Sequence, residues 1–293
     1  MTAMKPFRFG VALSLAADRR DWIEQCRTAE AIGFDTIAVI DHLGKPAPIP
    51  ALMLAAEHTS RPRIGTYVLD ATYYHPTLLA RDLNTMNQLT DGRLEVGIAP
   101  GRPSATREHL AELGMPYPTG VERADALEHA VKEVRRQLTG SLPPLLIGGR
   151  GDRALRLAAK HADIIAITGS ASSRYGKVGL PAFAGASVVA ERVAFARAAL
   201  GPRLEQIELN NEIPVVIVTR DRRAALAKLQ DFAPDVPQDE LGDVLGFLVG
   251  TPEQIADKLR HNRERYGFSY VTVLEGGVSG GMRAMAPVIE MLR

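Results

Sequence analysis

The chain has 293 residues, 46% of them apolar, and a single cysteine. Lys and Arg (35) balance Asp and Glu (34) to a net charge of +1, and no basic stripe interleaved with aromatics argues for nucleic acid as a partner. Cys26 alone excludes an internal disulfide framework and a cysteine zinc site, and the absence of any run of about 18 apolar residues excludes a spanning helix. The N-terminus enters a strand pattern without the apolar core of a signal peptide, so a cytoplasmic location is expected.

In chain order, short apolar runs alternate with stretches of helical period. The runs are Phe7–Leu13, Thr36–Ile40, Ile64–Leu69, Leu94–Ala99, Leu145–Ile147, Ile164–Ile167, Ile213–Val218 and Tyr270–Leu274. Runs of this kind suit strands buried on both faces. Helical spacing covers 20–32, 49–58, 76–89, 121–138, 152–161, 187–200, 221–232, 252–266 and 281–292. Cys26 joins Trp22, Ile23, Ala29 and Ile32 on one such face and reads as a small buried hydrophobe. Alternating strands and helices imply βαβ units and a parallel sheet. Eight such steps in a chain of this length predict a closed (β/α)8 TIM barrel, one domain over residues 1–293. Functional residues then belong at the C-terminal ends of the strands. Segment 168–186, rich in Gly and Ser, is expected to be a lid or substrate loop. Segment 233–249 reads as an insertion with a short extra helix.

Several strand ends carry candidate chemistry. Asp41–His42 closes the second run, and a histidine there can exchange protons near neutral pH. A pair satisfied by backbone hydrogen bonds fits the bare dipeptide equally well. Tyr67–Asp70 and Ala99–Arg102 end the third and fourth runs. His75–Pro76 between them starts a helix, with proline suited to its first position. The most informative loop is Ile147-Gly148-Gly149-Arg150-Gly151-Asp152, where a buried strand meets glycines and then a helix start. Glycines let backbone N–H groups approach an anion, and a helix N-terminus favours negative charge. Gly149-x-Gly151-x-x-Ala154 also matches a dinucleotide fingerprint, but the following strand ends in Thr168–Gly169 rather than an acid. A phosphate site in a barrel is the better reading, with a Rossmann site and a structural turn as alternatives. Gly277-x-Ser279-x-Gly281 resembles a nucleophile elbow, yet no histidine follows His261 to serve it. The seven histidines show no metal-ligand spacing, so no metal is expected. His161 reads as a helix C-terminal residue.

Taken together, these motifs resemble the bacterial luciferase-like flavin superfamily, and within it the F420-dependent branch. The resemblance is carried by FGVALS, by Ala29–His42, by the run from Arg63 to Gly101, by Pro143–Ile167, by Val249–Val273 and by the closing Met285–Leu292 helix. It implies a (β/α)8 barrel, commonly a dimer. It places Asp41 and His42 against the deazaflavin ring, His42 with a proton or substrate role and Asp41 beside it as a catalytic candidate. It matches Tyr67–Val68, followed by Leu69, to a third-strand bulge where many relatives have a non-prolyl cis peptide behind the ring. Ala99 and Gly101 lie at the matching fourth-strand end. Ile147, Gly148, Gly149, Arg150 and Gly151 match the segment that receives the cofactor's tail phosphate, with Thr168 and Gly169 beside it. Departures are equally informative. F420-using sugar-phosphate dehydrogenases have an acid after the fourth strand and a Trp after the Asp-His. Here those places hold Arg102 and the Gly44–Lys45 region, so that substrate class does not transfer. Tyr74 stands where the pattern often has Arg.

The reading implied is hydride transfer between reduced coenzyme F420 and a small organic substrate with a C=C, C=N or C=O bond. Arg102 and Tyr175 are expected substrate contacts, and a separate reductase would supply the reduced cofactor. An FMN-dependent monooxygenase using O2, a non-catalytic flavin-binding relative and an unrelated phosphate-binding barrel are the alternatives. Nucleic acid and membrane partners are not expected.

Overall fold

The structure is a computed structural model. It describes the chain except residues 1–4, 15–17, 44, 102, 176–180 and 277–280, and except the side chains of 103–106, 170–175 and 181. In chain order it contains β1 (Arg8–Leu13), α1 (Arg19–Ile32), β2 (Thr36–Val39), α2 (Pro48–His58), β3 (Arg63–Thr66), β4 (Leu69–Asp70), α3 (Pro76–Leu89) and β5 (Leu94–Ala99). There follow α4 (Pro103–Glu112), α5 (Gly120–Gln137), β6 (Leu145–Gly149), α6 (Asp152–His161), β7 (Ile164–Ile167), β8 (Ser170–Tyr175), β9 (Pro181–Phe183) and α7 (Ala186–Leu200). The last part holds β10 (Glu208–Ile213), β11 (Val215–Val218), α8 (Arg222–Ala227), β12 (Phe247–Gly250), α9 (Pro252–Tyr266), β13 (Phe268–Leu274) and α10 (Ala286–Leu292).

The main sheet runs β3-β2-β1-β13-β10-β7-β6-β5, and β5 pairs back with β3, so eight parallel strands close into the barrel the alternation predicts. Local chemistry sets the boundaries. Capping boxes start α5 (Thr119 with Glu122) and α9 (Thr251 with Gln254), and Gly33 ends α1 in the left-handed region at φ 103°.

Strand alternation divides the interior into two layers. Val11, Leu13, Ile37, Val39, Ile98, Ile147, Ile165, Val271 and Val273 face outward into the helical layer and form the large core. Ala12, Ala38, Tyr67, Leu146, Ile164, Ala166 and Tyr270 form a separate lumen cluster, with Ile40, Val68 and Leu274 packed on it. The N-terminal end of the lumen is plugged by charge. Arg8 bridges Glu95 at 2.7 Å and Glu208 at 2.9 Å, and the Tyr270 hydroxyl donates to Glu95 at 2.9 Å. Half-way up, the Tyr67 hydroxyl donates to Asn210 Oδ1 and Asn210 Nδ2 donates to Thr272 Oγ1, both at 2.7 Å. This tie crosses the lumen from one wall to the opposite one.

The structure corrects two strand assignments and adds a helix. The seventh barrel strand is Glu208–Ile213, not Ile213–Val218. Val215–Val218 pairs with Phe247–Gly250 in a small parallel sheet outside the barrel. That sheet has its own core of Val215, Leu229, Val236, Leu241, Val244, Phe247 and Val249. The third run is interrupted, with β3 ending at Thr66 and β4 pairing farther along β5. Helix α4 had no counterpart in the helical spacing. Segment 233–249 contributes a 3-10 turn, Gln238–Asp243, before β12. Lys258 of α9 fastens this region: its ammonium donates to the carbonyls of Gly242, Val244 and Phe247, each at 2.7 Å. In segment 168–186, β8 and β9 pair antiparallel.

Candidate active site

The C-terminal strand ends gather most of the expected residues around one mouth. Its wall is made of small side chains: Ala12, Ala38, Ala99, Gly148 and Ala166 all lie on lumen-facing strand positions. The Tyr67–Val68 peptide is cis, as the resemblance implies. Val68 leans over the neighbouring strands. A β-carbon on Gly148 would sit 3.7 Å from both Val68 Cγ1 and Ala99 Cβ, and one on Gly97 would lie 2.1 Å from the Thr66 carbonyl oxygen. Glycine at 97 is therefore fixed by packing, whereas glycine at 148 leaves room beside Val68.

Asp41 is almost wholly buried, and Oδ2 accepts from the Asp70 amide at 3.1 Å and from the Tyr74 hydroxyl at 3.0 Å. Burial holds its carboxyl above the usual range, against those two hydrogen bonds. Tyr74 thus uses the position where relatives often have Arg to anchor Asp41. His42 is half-buried and faces His109 of α4, with ring centroids 6.2 Å apart. The Tyr73 hydroxyl is 2.9 Å from His109 Nδ1. His109 was not singled out from the sequence, because it belongs to no motif and its helix was not anticipated.

The glycine loop leads directly into the start of α6. Gly151 is the N-cap of α6, has no side chain to satisfy the first amides, and a β-carbon there would meet nothing within 4 Å. Among the described residues no side chain caps these amides, which lie at the positive end of the helix. Arg150 is partly buried beside the loop. Burial lowers its pKa, and the nearby charge of Arg192 lowers it further. Arg192 is held at 2.7 Å from Asp152, the first residue of α6. Thr168 and Gly169 follow β7, the strand next to β6.

Not every expected residue offers its side chain. Ile147 and Leu69 are fully buried in the outward core, so only their backbone can border the mouth. Gly101 sits past the end of β5 at φ 80°. Arg102 lies outside the described residues, as do Ser279 and the side chain of Tyr175. Among the described residues, no group of three or more His, Cys, Asp or Glu could hold a metal ion, and no helix is long and apolar enough to cross a membrane.

A parallel eight-stranded barrel thus brings together, at its C-terminal end, a wall of small residues, an Asp–His strand end and a helix start without a side-chain cap. Residues 1–270 match the luciferase-like monooxygenase family, and the chain belongs to it. It is 30% identical over 205 residues to an F420-dependent glucose-6-phosphate dehydrogenase of Beutenbergia cavernae, a match covering 59% of this chain and 60% of that protein. The match therefore spans about three fifths of the relative's length. Two solved structures share the fold across 99% of this chain and 100% of their own. They are an F420-dependent secondary alcohol dehydrogenase in complex with an F420-acetone adduct (TM-score 0.76, 18% identity) and the coenzyme F420-dependent tetrahydromethanopterin reductase from Methanopyrus kandleri (TM-score 0.74, 16% identity).

Proposed function

We propose that this chain is an F420-dependent oxidoreductase acting on a small organic substrate with a C=C, C=N or C=O bond. The observation that carries the reading is the pairing, at one end of one barrel, of a wall without side chains at Gly148 and an uncapped helix start flanked by Arg150 and Arg192. A planar ring fits the first and an anionic tail the second. When bound, the deazaflavin would supply or accept the hydride. Val68, Ala99 and Gly148 would back the ring. The amides after Gly149, with Arg150, would hold the tail, beside Thr168 and Gly169. His42 would hold or deliver the proton that accompanies the hydride. Asp41, already engaged by Asp70 and Tyr74, would orient that corner of the site rather than exchange the proton itself. The names of the Beutenbergia relative and the two structural neighbours support F420 over FMN.

The family's description favours a second reading, an FMN-dependent monooxygenase that meets O2. Titrating the purified chain with F420 and with FMN, following fluorescence, separates them. Tighter binding of F420 without oxygen uptake supports the first reading. Preference for FMN, with oxygen consumed when it is reduced, overturns it. On the first reading, His42→Ala lowers turnover far more than F420 affinity. We also propose a homodimer in the cytoplasm, served by a separate reductase, which sedimentation and reconstitution would test.

A further inference from the structure

Away from the mouth, three arginines and a histidine gather around one groove between α1 and α2. Its volume is about 700 Å³, within the range of small-molecule sites. Arg19, Ile23, Arg27 and Ala31 follow one another at four-residue spacing along α1 and share a face, with Arg20, Glu24 and Thr28 beside them. His58, the last residue of α2, meets that face and is half-buried. Trp22 ties the two helices together: its buried indole N–H donates to the Ala51 carbonyl at 3.0 Å.

The polar contacts inside the groove are poorly matched. Nη2 of Arg19 lies 3.5 Å from His58 Nε2, and Nη2 of Arg27 lies 3.5 Å from His58 Nδ1. Both are beyond the ordinary N–H hydrogen-bond range. A neutral imidazole accepts at one nitrogen and donates at the other, and a protonated one accepts at neither. At least one guanidinium is therefore set donor against donor, whichever form the ring takes. Among the described residues no carboxylate resolves the conflict: Glu24, the one acid lining the groove, forms no ion pair. Asp21 is turned to Arg20, 3.7 Å away, and Glu30 is engaged by the amides of Ser60 and Arg61. Two guanidiniums thus converge on a ring that can serve only one of them.

We infer that this groove is an anion site separate from the mouth, and that it takes a phosphate group carried by a small molecule. Phosphate oxygens accept from guanidinium forks and from a ring N–H alike, so one phosphate satisfies Arg19, Arg27 and His58 together. Its charge of about −2 near neutral pH balances the two guanidiniums, which a single carboxylate does not. Ile23 and Ala31 offer the rest of the ligand an apolar strip. Arg19 and Arg27 are exposed, so their ends can follow the anion without movement of the helices. An anion held there joins α1 to the end of α2 and stabilises the folded chain by linkage. The inference does not depend on the F420 reading, because no residue of the groove belongs to the mouth.

The test uses the full chain labelled with nitrogen-15. The probes are inorganic phosphate and phenyl phosphate, with succinate and chloride as controls, all at one ionic strength. The indole N–H of Trp22, the sole tryptophan, gives a single NMR signal beside the groove. Phosphate should shift that signal saturably in the millimolar range, and phenyl phosphate at lower concentration through contact with Ile23 and Ala31. Phosphate taken up at the start of α6 shifts other signals, so the two places are told apart. Arg19→Gln and Arg27→Gln should each weaken binding at least about fivefold, whereas Glu24→Gln should tighten it. Arg27→Lys keeps the charge but not the fork, so it should restore only part of the affinity. Phosphate should also raise the thermal midpoint of the wild-type chain more than that of the Arg19→Gln/Arg27→Gln double variant. Three results would overturn the inference: phosphate acting no differently from chloride in either measurement, both glutamine variants keeping wild-type affinity, or succinate binding more tightly than phosphate. Full recovery in Arg27→Lys would likewise overturn it, by reducing the groove to diffuse attraction.

Discussion

Replacing Lys258 by methionine probes the clamp on the segment outside the barrel. The stem of Lys258 is half-buried, while its ammonium is enclosed by three carbonyls. Burial lowers its pKa from 10.5 to about 7, the charge of Arg222 adds to this, and Asp243 opposes it. Below about pH 7 both native and unfolded chains hold the proton. Between about pH 7 and 10.5 the unfolded chain still holds it while the native chain has released it, so native stability rises with pH across that window. The full shift corresponds to about 5 kcal/mol, and with partial exposure of the stem about 2–4 kcal/mol is a better expectation. Methionine carries no charge and lacks this gain. It also leaves three carbonyls without their donor, each costing about 1–3 kcal/mol if water cannot replace it. Lys258→Met is therefore destabilised throughout, and its deficit against wild type should widen by about 2–4 kcal/mol from slightly acid to alkaline pH. Urea unfolding at both pH values measures this, with Trp22, the sole tryptophan and 1% exposed, as the fluorophore. Other titrating groups cancel in the difference. An equal deficit at both pH values would refute the reasoning, because the carbonyls would then hold the charge as well as water does.

Two further substitutions test the lumen and the mouth. Tyr67→Phe should cost about 1–3 kcal/mol in the same assay by stranding the buried Asn210 acceptor, and pairing it with Asn210→Leu should recover part of the loss. Gly148→Ala should leave thermal unfolding nearly unchanged, since its β-carbon makes only ordinary contacts at 3.7 Å, yet weaken F420 binding at least about tenfold in the fluorescence titration through lost space at the ring.

The barrel was legible in the sequence because most of its strands are buried on both faces and so read as continuous apolar runs. The seventh strand escaped for the opposite reason. In ELNNEI, Glu208, Asn210 and Glu212 face a polar part of the lumen, leaving only Leu209 and Ile213 as outward apolar positions. The all-apolar VVIV that follows looked more like a barrel strand but belongs to the small outer sheet. The glycine loop was readable because backbone access to an anion leaves a compositional trace. The role of Tyr74 was not, because its bond to Asp41 spans 33 residues and depends on the bend after β4. His109 was illegible for a related reason: a lone histidine acquires meaning only from the ring that the fold sets beside it.

The lumen also constrains traffic. Arg8, Glu95 and Glu208 pair at the N-terminal end of the lumen and the Tyr67–Asn210–Thr272 tie crosses its middle, so among the described residues a ligand in the lumen has the C-terminal end to enter by. Whatever lies deepest must arrive first and depart last. For two ligands sharing that entrance, this favours compulsory-order kinetics: the inner ligand binds before the outer one and leaves after it. Steady-state product inhibition would then be competitive only between the two forms of the inner ligand, and noncompetitive for the outer one.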